Sequence, residues 1–363
     1  MSFFNLYNSL GVLLSLAFSF IVVFTSIPTI VEVARAKKLF DEPGKRKLHI
    51  LNTPTLGGVA IFSAILLSLA LFTSFSKHHE FQYVAAASVL LFFVGIKDDI
   101  LIIAPLKKLG GQILAILIVI FLGDIRFSSL HGFLGINNIP YVASVLLTLF
   151  VFIVIINGFN LIDGIDGLAA GCGILSSLVL CLYFSFIGEF GYAILAASLV
   201  GSLISFFFFN VFGKSNKIFM GDTGSLIIGF FTAVMAVKFN EINTIMDGNP
   251  LFIHAAPAVS FGILIVPLFD TMRVFILRMI KGISPFRADK NHVHHKLLAM
   301  GYSHLKATLI ILAANLIVII GVFLLNYWGI IDLMLLLLST AIFLSILPEI
   351  VFFIKQKRHQ IQS

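Results

Sequence analysis

The amino-acid sequence predicts an all-α polytopic integral membrane protein with about eleven transmembrane helices. Three observations carry that prediction. The 363 residues are 59% hydrophobic and only 11% charged, where a soluble domain carries about 25% charged residues. Apolar runs of the length that crosses a bilayer, about 17 to 25 residues, recur along the whole chain. All but four of the 24 Lys and Arg residues fall in alternate loops, the asymmetry that orients membrane proteins. The linkers are short and no internal repeat stands out, so residues 1–363 read as one polytopic domain.

The first run, residues 9–31, has no basic residue before it and is long enough to cross. It reads as a retained helix rather than a cleaved signal. Further runs follow at 55–75, 83–97, 109–123, 140–156, 166–187, 190–210, 220–237, 255–277, 306–327 and 329–354. The third and fourth are short, as suits helices covered partly by neighbours. Cys172 and Cys181 lie nine apart in apolar surroundings with no metal-type spacing, and read as small packing residues.

One set of loops comprises 32–54, 98–108, 157–165, 211–219, 278–305 and the tail after 354. These loops and their flanking helix ends hold the basic residues. The exceptions are Lys77, Arg126 and Lys238 on the other side, and Arg273 inside a helix. The rich side is therefore cytoplasmic, with the N-terminus outside and the C-terminus inside. The net charge of +7 is then an orientation bias with an anion-binding face, and no nucleic-acid partner is expected.

Polar groups gather on that same side. "IINGFNLIDGIDGLAAG" (155–171) places Asn157, Asn160, Asp163 and Asp166 among glycines, between two apolar runs. "GIKDDI" adds Asp98 and Asp99, "FMGDTGSL" adds Asp222, and "ADKNHVHHKLL" adds His292, His294 and His295. A transporter places ionisable groups near the bilayer midplane, whereas joining a soluble substrate to a lipid needs them at the interface. Adjacent Asp98 and Asp99 both ionise comfortably only beside a cation. Asp and Asn oxygens completed by water or phosphate suit Mg²⁺, and basic side chains suit phosphate. The combination describes phosphoryl transfer on a nucleotide substrate.

Each motif also has a plainer reading. Asp-Asp can cap a helix, "GDTGS" can open one, the histidines can bind zinc, and the glycines can serve helix packing. Asn157, Asn160, Asp163 and Asp166 recur every three residues, which drifts by about 60° per step on an α-helix. With the glycines interleaved, the spacing predicts a loop or broken helix over 157–165 that lines a polar cavity.

The motifs "DEPGKRKLHILNTPTLGG" (41–58), "DDILIIAPLKKLGGQ" (98–112), "NGFNLIDGIDGLAAG" (157–171), "FMGDTGSLIIGF" (219–230) and "PFRADKNHVHHKLLAMG" (285–301) occur in order over about 260 residues. In these the chain resembles the polyprenyl-phosphate N-acetylhexosamine-1-phosphate transferases, in the branch using UDP-N-acetylglucosamine. One departure is "IIAPLKK", where the family more often carries Leu-Ser-Pro-Arg.

The resemblance implies transfer of N-acetylglucosamine-1-phosphate from UDP-GlcNAc to undecaprenyl phosphate, releasing UMP, on the cytoplasmic face of a bacterial cytoplasmic membrane. Another UDP-N-acetylhexosamine, including the MurNAc-pentapeptide donor, is the alternative, and a lipid-linked transporter the remote one. It implies Asp222 as the principal Mg²⁺ ligand with Asn160 beside it, Mn²⁺ being a substitute metal. Asp98, Asp99, Lys108, His292, His294 and His295 match catalytic positions. Asp163 and Asp166 match the nucleotide side, and Arg46, Lys47 and His49 match an early basic substrate-binding motif. A homodimer is a further expectation. No DGxxAR segment followed by GxxxD, the mark of a CDP-alcohol phosphotransferase, is present.

Overall fold

The computed structural model describes residues 3–39, 53–101, 103–246, 248–280 and 293–362. Arg46, Lys47, His49 and His292 lie outside the described residues. The helices run α1 (Phe3–Ala36), α2 (Gly57–Phe72), α3 (Glu80–Ile100), α4 (Pro105–Phe121), α5 (Tyr141–Ile162), α6 (Leu168–Ile187) and α7 (Phe190–Phe207). They continue as α8 (Gly221–Ile245), α9 (Ala256–Ile263), α10 (Ile265–Ile280), α11 (Val293–Ala299), α12 (His304–Leu324) and α13 (Ile330–Gln362). A π-helical turn, Phe208–Phe212, extends α7.

Each of the eleven predicted runs contains helix. Six of the described helices are long and apolar enough to cross a membrane: α1, α5, α6, α7, α8 and α12. Helices α9 and α10 are apolar enough only as a pair, bent by 81° at Leu264, which brings the candidate crossings among the described residues to six or seven. The apolar run at 255–277 thus holds two helices with a break between them. Pro267 sits in the first turn of α10, where its missing N–H breaks no helical bond.

Two further expectations change. Helix α5 continues through Asn157 and Asn160 to Ile162, so the break is shorter than 157–165 and lies between Ile162 and Leu168. The asparagines stay helical because each finds a partner on a neighbouring helix. A two-stranded antiparallel hairpin, β1 (Ser129–Phe133) and β2 (Ile136–Asn138), also departs from a purely helical fold.

Helix α8 is the centre of the bundle. From Thr223 to Val237 every residue is buried, including Phe230, Phe231 and Met235. Helices α2, α3, α5, α6, α7 and α9 surround it. Peripheral helices instead expose large apolar side chains, among them Leu13, Phe93, Val142, Phe150 and Ile317. A bundle in water would hide those; in a bilayer they face acyl chains. The start of α8 is held at very close range, since a Cβ on Gly58 or Gly95 would collide with the backbone of Thr223 or Gly224. Those two glycines let α2 and α3 press onto the segment that carries Asp222.

Candidate active site

The site forms where four segments end together: the C-terminus of α3, the first turns of α4, the turn between α5 and α6, and the first turn of α8. Asp222 lies in that first turn of α8. Gly221 immediately before it has φ of +73°, a conformation that glycine adopts without penalty. A Cβ there would also meet the Asp99 carboxylate at 2.6 Å.

Asp99 spends both oxygens on this turn. Its Oδ1 accepts from the Asp222 amide at 2.6 Å, and its Oδ2 from the Thr223 amide at 3.0 Å and hydroxyl at 2.5 Å. A carboxylate from α3 thus does for α8 what an N-cap side chain usually does within one chain segment. Asp98 faces the other way. Its Oδ1 accepts from the Ile103 amide at 2.9 Å, and its Oδ2 lies 3.0 Å from Lys108 Nζ. Lys108 also reaches Asp222 Oδ1 at 2.5 Å, so one ammonium bridges two carboxylates.

From α5, Asn160 Nδ2 donates to Asp222 Oδ1 and, at 2.9 Å, to Ser225 Oγ. Asn157 Nδ2 donates to Gln112 Oε1 at 2.9 Å, joining α5 to α4 one turn beyond Lys108. Asp163 sits in the turn after α5. Burial first, then the charges of Asp222, Asp99 and Asp166, hold its carboxyl well above the usual carboxylate range. An acidic cluster of this kind is relieved by added positive charge.

Asp166 stands at the edge. Its Oδ2 lies 2.6 Å from Lys217 Nζ and 3.6 Å from His304 Nδ1, while its carbonyl accepts from the Thr308 hydroxyl at 2.8 Å. The buried Asn210 carboxamide closes the same turn, accepting from Gly167 N at 2.7 Å and donating to Ile218 O at 2.9 Å. The structure therefore brings Asp98, Asp99, Lys108, Asn160, Asp163 and Asp222 together, with Asp166 one step out. His294 and His295 lie on the short helix α11, His295 half-buried.

Sequence reasoning passed over Gln112, Asn210, Lys217 and Asp270. Gln112 and Asn210 sat in apolar runs as isolated carboxamides, which is a weak signal. Asp270 had a stronger one: with Arg273 it makes an opposite-charge pair three residues apart inside "IVPLFDTMRVFIL".

Among the described residues no three His, Cys, Asp or Glu side chains converge as a closed metal site. Mg²⁺ does not need one, since it keeps several waters and takes one or two carboxylates plus substrate phosphate. Asp222 with Asn160 fits that donor set, and rotation about χ2 of Asn160 would present its Oδ1 in place of Nδ2.

The Glycosyl transferase family 4 model matches residues 81–240, which hold every one of these converging side chains. The chain is 30% identical over 297 residues to an undecaprenyl-phosphate alpha-N-acetylglucosaminyl 1-phosphate transferase of Escherichia coli (strain K12), covering 80% of this chain and 78% of that one. It is 33% identical over 294 residues to a decaprenyl-phosphate N-acetylglucosaminephosphotransferase of Mycolicibacterium smegmatis, covering 74% and 71%. A decaprenyl-phosphate N-acetylglucosaminephosphotransferase of Mycobacterium tuberculosis (strain ATCC 25618 / H37Rv) is 31% identical over 290 residues. Identity of this extent across most of both chains, on top of the shared motifs, makes this chain a member of glycosyl transferase family 4, among the polyprenyl-phosphate N-acetylhexosamine-1-phosphate transferases.

Proposed function

We propose that this protein transfers N-acetylglucosamine-1-phosphate from UDP-GlcNAc to undecaprenyl phosphate, giving undecaprenyl-diphosphate-GlcNAc and UMP. The observation that carries the reading is the convergence of Lys108 and Asn160 on Asp222, with Asp98 behind the lysine. One cation and one carboxamide poised at one carboxylate suit a diphosphate, and the relatives named above act on polyprenyl phosphates.

An oxygen of the lipid phosphate attacks the sugar-bearing phosphorus, and the bond from that phosphorus to the bridging oxygen breaks, releasing UMP. Lys108 sets a fixed positive charge beside the reacting phosphates. Asp98 holds the Lys108 ammonium in place and orients the incoming phosphate, or takes up its residual proton. Asp99 keeps the first turn of α8, and so Asp222, in position. Asp222 and Asn160 would hold Mg²⁺, which supplies charge neutralisation for the leaving UMP. A phosphate monoester has a second pKa near 6, so it is largely dianionic at neutral pH and needs little help from a base.

Eleven crossings, an outward N-terminus, an inward C-terminus and residence in a bacterial cytoplasmic membrane complete the proposal. Initiation of a cell-wall or surface polysaccharide is the role that follows from the product, and a homodimer is its simplest assembly. Purified protein given undecaprenyl phosphate, Mg²⁺ and a panel of UDP-sugars should release UMP fastest with UDP-GlcNAc. Faster release with another UDP-N-acetylhexosamine would reassign the donor, and no release with any would sink the proposal.

A further inference from the structure

We propose that Asp270 is a positioning residue that fixes the helix carrying His294 and His295 to the rest of the bundle. Asp270 is only 5% exposed, on α10 just past the 81° bend. A buried carboxylate in an apolar helix is costly unless paired and hydrogen-bonded. Arg273, one turn on, lies 3.7 Å from its Oδ1. That pair lies within α10. The same Oδ1 also accepts from the backbone amide of Val293 at 3.2 Å, across 23 residues of sequence. Val293 is the first residue of α11, directly before His294 and His295.

The other end of the connection is equally short. Pro267, one turn before Asp270, packs on Gly158 of α5, where a Cβ would meet the Pro267 carbonyl at 2.9 Å. Gly158 lies between Asn157 and Asn160, the residues that reach Gln112 and Asp222. A continuous path of packed backbone and one hydrogen bond therefore runs from Asn160 through Pro267 and Asp270 to the start of α11. A helix of seven residues has little stability of its own, so its placement depends on such anchors. Asp270 touches neither phosphate nor metal in this scheme and acts through the position of the histidines.

The activity half of the test rests on the transferase reading; the distance half needs no substrate. Val293→Pro removes the amide donor and leaves Asp270 intact, at a first helical position where proline is well tolerated. Asp270→Ala removes the acceptor. Spin labels at Gly110→Cys, where an added Cβ meets nothing within 4 Å, and at the exposed Ala299→Cys report the spacing of α11 from α4. The native Cys172 and Cys181 are buried.

In the full-length purified protein, each single variant should broaden the label distance distribution. Each should also lower kcat for UMP release at least about tenfold, the scale of a hydrogen bond to a charged group. KM for the UDP-sugar should change less, by about threefold at most. The double variant should be no worse than the worse single. An unchanged, narrow distribution in folded Val293→Pro would overturn the assignment, as would losses that multiply in the double. If Asp270→Ala does not fold, Val293→Pro alone decides. If wild type releases no UMP, the transferase reading fails and the distance measurement still tests the anchor.

Discussion

Asp222 receives Lys108 Nζ and Asn160 Nδ2 on the same oxygen while its own backbone amide is held by Asp99. The side chain is thus fixed in place before any substrate arrives. Asp222→Asn keeps the shape and the backbone bond but removes the charge from the centre of the site. Turnover should fall on the order of a thousandfold or more, with the thermal unfolding midpoint little changed; near-normal UMP release by the folded variant would place the metal elsewhere. Asp98 raises a different question, because a carboxylate beside a lysine can also act as a nucleophile. Here both oxygens of Asp98 are already engaged, one by Ile103 N and the other by Lys108. Direct displacement therefore predicts that enzyme stripped of lipid phosphate will not exchange labelled UMP into UDP-GlcNAc. Mg²⁺-dependent exchange without lipid, abolished in Asp98→Asn, would establish a covalent intermediate instead.

The start of α8 depends on another helix for its cap. Asp99→Ala leaves the Asp222 and Thr223 amides unsatisfied, at a cost of about 1–2 kcal/mol for a lost cap and more where the acceptor was charged. We expect a clear fall in the unfolding midpoint together with loss of activity, whereas Asp98→Asn should lose activity with the midpoint retained. Equal midpoints for the two variants would contradict the division of labour. Much of this was legible in the residues: the acidic motifs, their shared side and the helix-capping capacity of Asp-Asp follow from local chemistry. The partner of the cap was not, because Asp99 caps a helix 123 positions later in the sequence. The three-residue spacing from Asn157 to Asp166 misled over 157–162, since periodicity reports which faces are apolar and not which polar groups find partners across a helix interface. The bend at Leu264 was hidden for a related reason. Both halves are apolar, so composition alone reads through it.

At the scale of the whole molecule, sidedness ties the site to its substrates. In the proposed reaction the first turn of α8 and the turn after α5 face the compartment that holds the nucleotide sugar, and the proposed topology, drawn from the distribution of Lys and Arg, puts that face in the cytoplasm. Lys214 is exposed in the segment that leads into the start of α8, and Pro250 is exposed beyond the far end of α8. In sealed cells a membrane-impermeant thiol reagent should label Pro250→Cys and spare Lys214→Cys. The reverse pattern would invert the topology and separate the site from its donor.

Helix α8 carries buried Thr232, Asn240 and Asn243, so it is poorly suited to float alone in lipid. Five of the six helices that enclose it, α2, α3, α5, α6 and α7, precede it in the chain, and only α9 follows. During synthesis, then, the most polar of the six membrane-crossing helices leaves the ribosome after five of the six helices that house it. It enters a socket that lacks only α9, and its arrival brings Asp222 to the carboxylates and the lysine waiting there. Insertion of α8 and assembly of the cluster of Asp98, Asp99, Lys108, Asn160 and Asp222 become one event, timed by the order of the genetic message.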